Sequence, residues 1–209
     1  MGSKKGARSA KVASKPVSRR TPSRARIWML RHGQAQGNLQ HVFNGSRIDA
    51  PLTNLGMAQA GRMAMHFPFR PDAIFSSPLL RAMQTAKPLS ERFGMEILRL
   101  PSAMEQDYGS MSGMTRKELM APKFRRYFHF SPAGHMVTLH ARGGGESWKD
   151  LQARARRMFR WLDKHYAGKK IVVVSHSDFI NCCYGVRHHL QDQMTWRRDD
   201  VPNVGTVRL

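Results

Sequence analysis

Apolar residues first gather at Ile27, Trp28, Met29 and Leu30, a short run bounded by Gly33 that predicts a buried strand leading straight into Arg31-His32-Gly33. Residues 52 to 67 then follow a helical period, with Leu52, Leu55, Ala58, Met63 and Phe67 near one face and Pro68 and Pro71 marking the end. Ala73-Ile74-Phe75 predicts a second strand. It gives way at Ser76-Ser77-Pro78 to a helix through Leu79, Leu80, Met83 and Ala86, with Ser77 as its cap and Arg81 in its first turn. A third strand is expected at residues 96 to 100, followed by loop and short helix up to Gly145. The clearest helix begins at Ser147, with Asp150 as capping-box partner and Trp148, Leu151, Ala155, Met158, Phe159, Leu162 and Tyr166 on one face. Gly168 closes it, Ile171, Val172, Val173 and Val174 form an apolar strand, and a further helix starts near Phe179 just after His176.

Strand followed by helix recurs along the whole chain, without internal repeats. That alternation predicts an α/β fold, a three-layer α/β/α sandwich whose central sheet is mostly parallel and covered on both faces. Such sheets bind ligands beyond the carboxyl ends of their strands. His32, Ser77 and His176 each fall just past a predicted strand end.

Charge changes the picture at the N-terminus. Residues 1 to 26 carry nine Lys or Arg and no acid, together with Ser, Gly, Pro16 and Pro22. Such a segment buries too little apolar surface to fold alone, so residues 1–25 are expected to form a basic tail and residues 26–209 a single domain. The net charge of the whole chain is +21; without the first 26 residues, 26 Lys and Arg still face 14 acids. Tail and surface together could engage nucleic acid or an acidic protein, although Arg154, Arg156, Arg157, Arg160 and Lys164 also fit a solvated helix face. The Arg- and Ser-rich, acid-free tail equally suits a mitochondrial targeting segment, against a cytoplasmic default. No apolar run approaches the roughly 18 residues of a membrane span. The only cysteines, Cys182 and Cys183, are adjacent within an apolar stretch, which fits a reduced intracellular protein. Their neighbours His188 and His189 do not show a convincing ligand spacing, so no metal is expected.

The candidate chemistry is phosphoryl transfer, which needs fixed cations around the transferred group and an in-line nucleophile. Arg31 and Arg81 offer forked, permanently charged donors, and their charge would hold a nearby imidazole neutral and nucleophilic. The departing alkoxide needs a proton from a carboxylic acid of raised pKa, for which Glu105 is the candidate and Asp107 lies close enough to compete.

The ordered series is longer than any one of these features. It runs through Leu30-Arg31-His32-Gly33-Gln34 and Asn38, Phe43-Asn44-Gly45, Asp49-Ala50-Pro51-Leu52-Thr53, Ser76-Ser77-Pro78-Leu79-Leu80-Arg81-Ala82, Glu105 with Gly109, Gly145-Glu146-Ser147 and Val173-Val174-Ser175-His176. Over residues 26 to 209 the chain thereby resembles the histidine phosphatase, or phosphoglycerate-mutase-like, superfamily. The resemblance implies a phosphoglycerate-mutase-like fold, a phosphoryl group carried transiently on His32, phosphate held by Arg31, Asn38, Arg81 and His176, and protonation of the leaving group by Glu105. It implies no metal or organic cofactor. Two positions depart from the family pattern: Ala35 replaces the usual Ser or Thr, and Ser177 the usual Gly.

The expected activity is hydrolysis of a phosphomonoester, with a phosphorylated small molecule or a phosphoprotein as substrate. Only some 35 residues separate Gly109 from Gly145, where mutases of this family generally carry a longer insertion. Phosphoglycerate mutase is the first alternative, and a catalytically weakened basic binding or assembly protein on the same fold, with RNA as one partner, is the second.

Overall fold

The computed structural model describes residues 23–130, 136–139, 143–190 and 201–209. Among the described residues five strands form the central sheet: β1 (Arg26–Arg31), β2 (Ala73–Ser76), β3 (Ile97–Arg99), β6 (Lys170–Ser175) and β7 (Thr206–Arg208). Their spatial order is β3-β2-β6-β1-β7, with β7 alone antiparallel to its neighbour. A separate antiparallel pair, β4 (Phe128–Phe130) and β5 (Met136–Thr138), lies in the stretch expected to be loop. The helices are α1 (Gln36–Leu39), α2 (Asn54–Met65), α3 (Leu80–Phe93), α4 (Arg116–Leu119), α5 (Trp148–His165) and α6 (Ser177–Arg187).

The pleat of the strands explains the layers. Alternate residues point to opposite faces, so Ile27, Met29, Ala73, Phe75, Ile171 and Val173 join one core with α5 and α6. Leu30, Ile74, Val172 and Val174 join the other, with Ala64, Ala82, Ala86 and Leu89 of α2 and α3. Central strand β6 is therefore apolar at every position from Ile171 to Val174, all of them fully buried. A sheet of this order is the α/β sandwich expected from the strand-helix alternation.

Three expectations are corrected. The buried face of α2 is the small-residue line Gly56, Ala60 and Ala64, whereas Leu55 and Ala58 are exposed. At the N-terminal end of this line not even a methyl fits: a Cβ added to Gly56 would lie 2.0 Å from the carbonyl oxygen of Gln34, and one added to Gly33 would lie 2.7 Å from that of Gly56. Ser77 does not cap α3, whose N-cap is Leu79; it braces the preceding turn through a 3.3 Å bond from the Leu79 amide. Arg154, expected on a solvated face, is instead largely covered. By contrast, the capping box at Ser147 and Asp150 forms as expected: the Ser147 amide donates to Asp150 Oδ2 at 3.0 Å and the Asp150 amide to Ser147 Oγ at 3.2 Å.

The expected tail lies outside the described residues up to position 22. The packed domain reaches back past position 26, since Ala25 is buried, its amide bonds Asp163 at 3.0 Å and its carbonyl accepts from Arg187 at 3.2 Å. Among the described residues no helix is long and apolar enough to cross a membrane.

Candidate active site

The carboxyl ends of β1, β2 and β6 open onto a cavity of about 230 Å³ lined by Arg31, His32, Ala35, Asn38, Val42, Phe43, Asn44, Gly45, Arg81, Glu105, Tyr108, Ser177 and Asp178. Five of the six residues singled out in the sequence, Arg31, His32, Asn38, Arg81 and Glu105, reach it. The sixth, His176, stands behind the wall, with its ring centroid 5.2 Å from that of His32.

His32 is fixed by the sheet end. Its amide bonds Ser175 of β6 at 3.0 Å, its carbonyl accepts from Asn203 at 3.0 Å, and the following Gly33 amide donates to Thr85 of α3 at 3.0 Å. The ring Nδ1 lies 2.7 Å from the Gly33 carbonyl. A carbonyl can only accept, so Nδ1 carries the proton and Nε2 keeps its lone pair. Burial foremost, then the charges of Arg81 and Arg31, hold the imidazole well below its ordinary pKa. The arginines expected to keep this ring neutral do so, but as the lesser cause.

Arg81 is anchored on three sides: Nη2 donates to Gly45 O at 2.8 Å, Nη1 to Ile48 O at 3.0 Å, and Nε to His176 Nδ1 at 3.2 Å. Since His176 Nδ1 accepts, its Nε2 bears the hydrogen and donates to Ser77 Oγ at 2.8 Å. Burial first, then Arg81, depresses the pKa of His176 as well. Both ring nitrogens thus serve the protein, and His176 orients Arg81. Arg31 donates through Nη1 to Val201 O at 2.5 Å. Asn38 places its Oδ1 on the Ala35 amide at 2.8 Å, which leaves the Nδ2 donor for a ligand.

Glu105 sits on an irregular loop yet is nearly fully buried. Its Oε1 accepts from the amides of Gln106 at 3.0 Å and Phe179 at 3.1 Å, and its Oε2 from that of Asp178 at 3.4 Å. Burial and the neighbouring Asp178 charge raise its pKa to about 7, against the opposing pull of those amides and Arg81. Asp178 in turn accepts a hydrogen bond from the Tyr108 hydroxyl. Asp107 faces elsewhere: it pairs with Arg47 at 2.6 Å and caps the Gly109 amide at 2.8 Å. The pocket therefore has a cationic end beside a neutral imidazole and an acidic end holding a carboxyl poised to donate.

Sequence reasoning missed Asp178 and Tyr108 as pocket residues, whereas Ala35 and Ser177, singled out as departures from the family pattern, both line it. An acid in the first turn of the helix that follows His176 was the available signal for Asp178. Ala35 takes the N-cap of α1 without a side-chain bond, so its missing hydroxyl is felt in the backbone as well as in the pocket. Among the described residues no cluster of three or more His, Cys, Asp or Glu could hold a metal, and Cys182 and Cys183 are buried in the core, which pushes both thiols up.

Comparison with known proteins shows what the chain is similar to. The sequence profile of the Histidine phosphatase superfamily (branch 1) matches residues 27–209. The chain is 34% identical over 158 residues to the 2,3-bisphosphoglycerate-dependent phosphoglycerate mutase of Methylobacterium radiotolerans, covering 72% of this chain and 73% of the mutase. It is 29% identical over 161 residues to the metal-independent phosphoserine phosphatase of Arabidopsis thaliana, covering 76% of this chain and 66% of that protein. Among solved structures, the mycobacterial glucosyl-3-phosphoglycerate phosphatase complexed with VO3 superposes with a TM-score of 0.76 at 28% identity, covering 90% of this chain and 92% of that one.

Proposed function

This chain belongs to the histidine phosphatase superfamily, and from that membership we propose that it hydrolyses phosphomonoesters through a phosphohistidine on His32. The observation that carries the reading is the pairing, in one pocket, of a neutral imidazole of fixed tautomer with a buried carboxyl whose pKa is near 7. Nucleophile and acid are then both in their working protonation states near neutrality.

In the first step His32 Nε2 attacks phosphorus in line with the ester oxygen. The phosphorus–oxygen bond breaks, and the departing oxygen takes the Glu105 proton. Arg31, Arg81 and Asn38 Nδ2 hold the equatorial oxygens, and His176 keeps the Arg81 guanidinium turned into the pocket. In the second step the Glu105 carboxylate accepts a proton from water as the oxygen attacks the phosphohistidine. The phosphorus–nitrogen bond breaks, inorganic phosphate leaves, and both residues return to their starting states.

The substrate is a phosphorylated small molecule or an exposed phosphorylated side chain; the solved structure cited above and the plant relative, named as phosphatases of glucosyl-3-phosphoglycerate and phosphoserine, support that class. Phosphate release from a panel of such esters in the presence of EDTA, comparing the full chain with His32→Ala, tests the proposal. Release that persists in the variant contradicts it. The 34% identity to a phosphoglycerate mutase favours a second reading, in which His32 returns the phosphoryl group to the substrate. Interconversion of phosphoglycerates, primed with 2,3-bisphosphoglycerate and without net phosphate release, would mark that activity. The basic N-terminal stretch belongs to the proposal as a targeting segment or as an arm for nucleic acid or acidic protein; salt-sensitive binding to RNA that survives His32→Ala would favour the arm.

A further inference from the structure

Glu105 lies on a stretch of chain with no sheet to fix it. Between β3 and the 3-10 turn at Gly109–Met111 the backbone is irregular apart from one short turn, Pro101–Ala103. Four successive carbonyls of this stretch nevertheless have partners. Ser175 Oγ takes that of Ala103 at 2.7 Å, and a single guanidinium, that of Arg154 on α5, takes the other three: Ser102 at 2.9 Å, Met104 at 2.8 Å and Glu105 itself at 3.2 Å. The same guanidinium forks onto Glu146, at 2.8 Å from Nε and 2.7 Å from Nη2. Glu146 closes the other side of the loop by accepting from the Asp107 amide at 3.1 Å and donating its own amide to the Asp107 carbonyl at 2.7 Å. Arg154 also lies over the Phe179 ring, 4.5 Å from its centroid, and the Phe179 amide is one of the donors to the Glu105 carboxyl.

A guanidinium has five N–H donors, and the five bonds above use all of them. Arg154 has no donor left for a substrate, and it does not line the pocket. Its contacts instead bracket Glu105 from behind, on the residue's own backbone and on the residue that bonds its carboxyl. We propose that Arg154, locked by Glu146, is the positioning residue that sets the Glu105 carboxyl at the leaving-group oxygen. This inference rests on Glu105 being the general acid. A lysine cannot replace it, having three donors and no planar fork.

Leaving-group dependence tests the inference, because a merely structural role would lower activity on every substrate alike. Expulsion of an alkoxide needs the acid, whereas 4-nitrophenolate departs with far less help. The value of kcat/KM reads through that step, so it is measured for an alkyl monoester and for 4-nitrophenyl phosphate with the full chain, Arg154→Lys, Glu146→Gln and Glu105→Gln. Glu105→Gln is expected to lose roughly 10²-fold or more on the alkyl ester and at least about tenfold less on the aryl ester. Arg154→Lys is expected to lower the alkyl-to-aryl ratio by about tenfold, in the same direction. Glu146→Gln keeps the three carbonyl bonds and shows a smaller shift of the same sign, and it carries the prediction alone if Arg154→Lys does not fold. Discrimination by Glu105→Gln with equal losses on both esters in the Arg154 and Glu146 variants overturns the positioning role. Absence of discrimination in Glu105→Gln overturns the general-acid assignment, and the positioning role with it.

Discussion

The two halves of the pocket are built in opposite ways. On the side proposed to hold the phosphate, Arg31, His32 and Arg81 stand at a strand end or in the first turn of α3, so the sheet ladder and helix place their backbones. On the proton side Glu105 stands on a loop whose carbonyls are held one by one, chiefly by Arg154 and Ser175. Regular structure gives accuracy where charge must meet a phosphoryl group. Side-chain clamps give a carboxyl the dry surroundings that raise its pKa, because a loop can fold over it as a strand cannot.

The largest expected effect tests the phosphate side. Arg81→Lys removes the fork that spans Gly45, Ile48 and His176, and kcat/KM should fall by about 10²-fold or more with little dependence on the leaving group. A loss confined to alkyl esters would mean that the two halves are not separable in this way.

The next effect lies on the proton side. Asp178 raises the pKa of Glu105, which is about 7. In the proposed mechanism Glu105 must be protonated for the first step, so kcat/KM should fall as pH rises through that value. Asp178→Asn removes a negative neighbour, stabilises ionised Glu105, and should move the basic limb of the profile to lower pH. The acidic limb, set by His32, should stay well below pH 6.5 in both proteins. A basic limb that moves to higher pH would contradict the electrostatics described.

Asp107→Asn sharpens the same contrast by its small effect. Asp107 is two residues from Glu105 but bonds Arg47 and the Gly109 amide outside the pocket. The substitution should change kcat/KM by less than about threefold and leave the pH profile in place. Smallest of all, Ala35→Ser supplies an N-cap hydroxyl where the backbone is already extended at φ −105 and ψ 162. A gain of about 1 kcal/mol is expected, seen as a rise of about 2–4 °C in melting temperature.

The same division explains what was legible in the sequence. A strand that ends in a polar residue of the site leaves a compact signature, so β1 with His32 and β6 with His176 could be read from apolar runs ending in polar residues. The buried face of α2 could not, because Gly56, Ala60 and Ala64 are chosen for close approach and carry little hydrophobic signal. Strands β4, β5 and β7, three residues each, went unread, although β3, equally short, was expected. Glu105 itself could be singled out, but its surroundings come from Asp178, Phe179 and Arg154, 49 or more positions away. Arg154 looked like one more base on a charged helix because three of its five bonds go to backbone carbonyls, which every sequence contains.

The phosphohistidine can be sought itself. Rapid quenching of the full chain with a phosphorus-labelled monoester should trap label on the protein that is lost in acid, survives alkali and maps to His32, and His32→Ala should trap none. Turnover without such a species, or label that maps to another residue, would contradict covalent catalysis by His32.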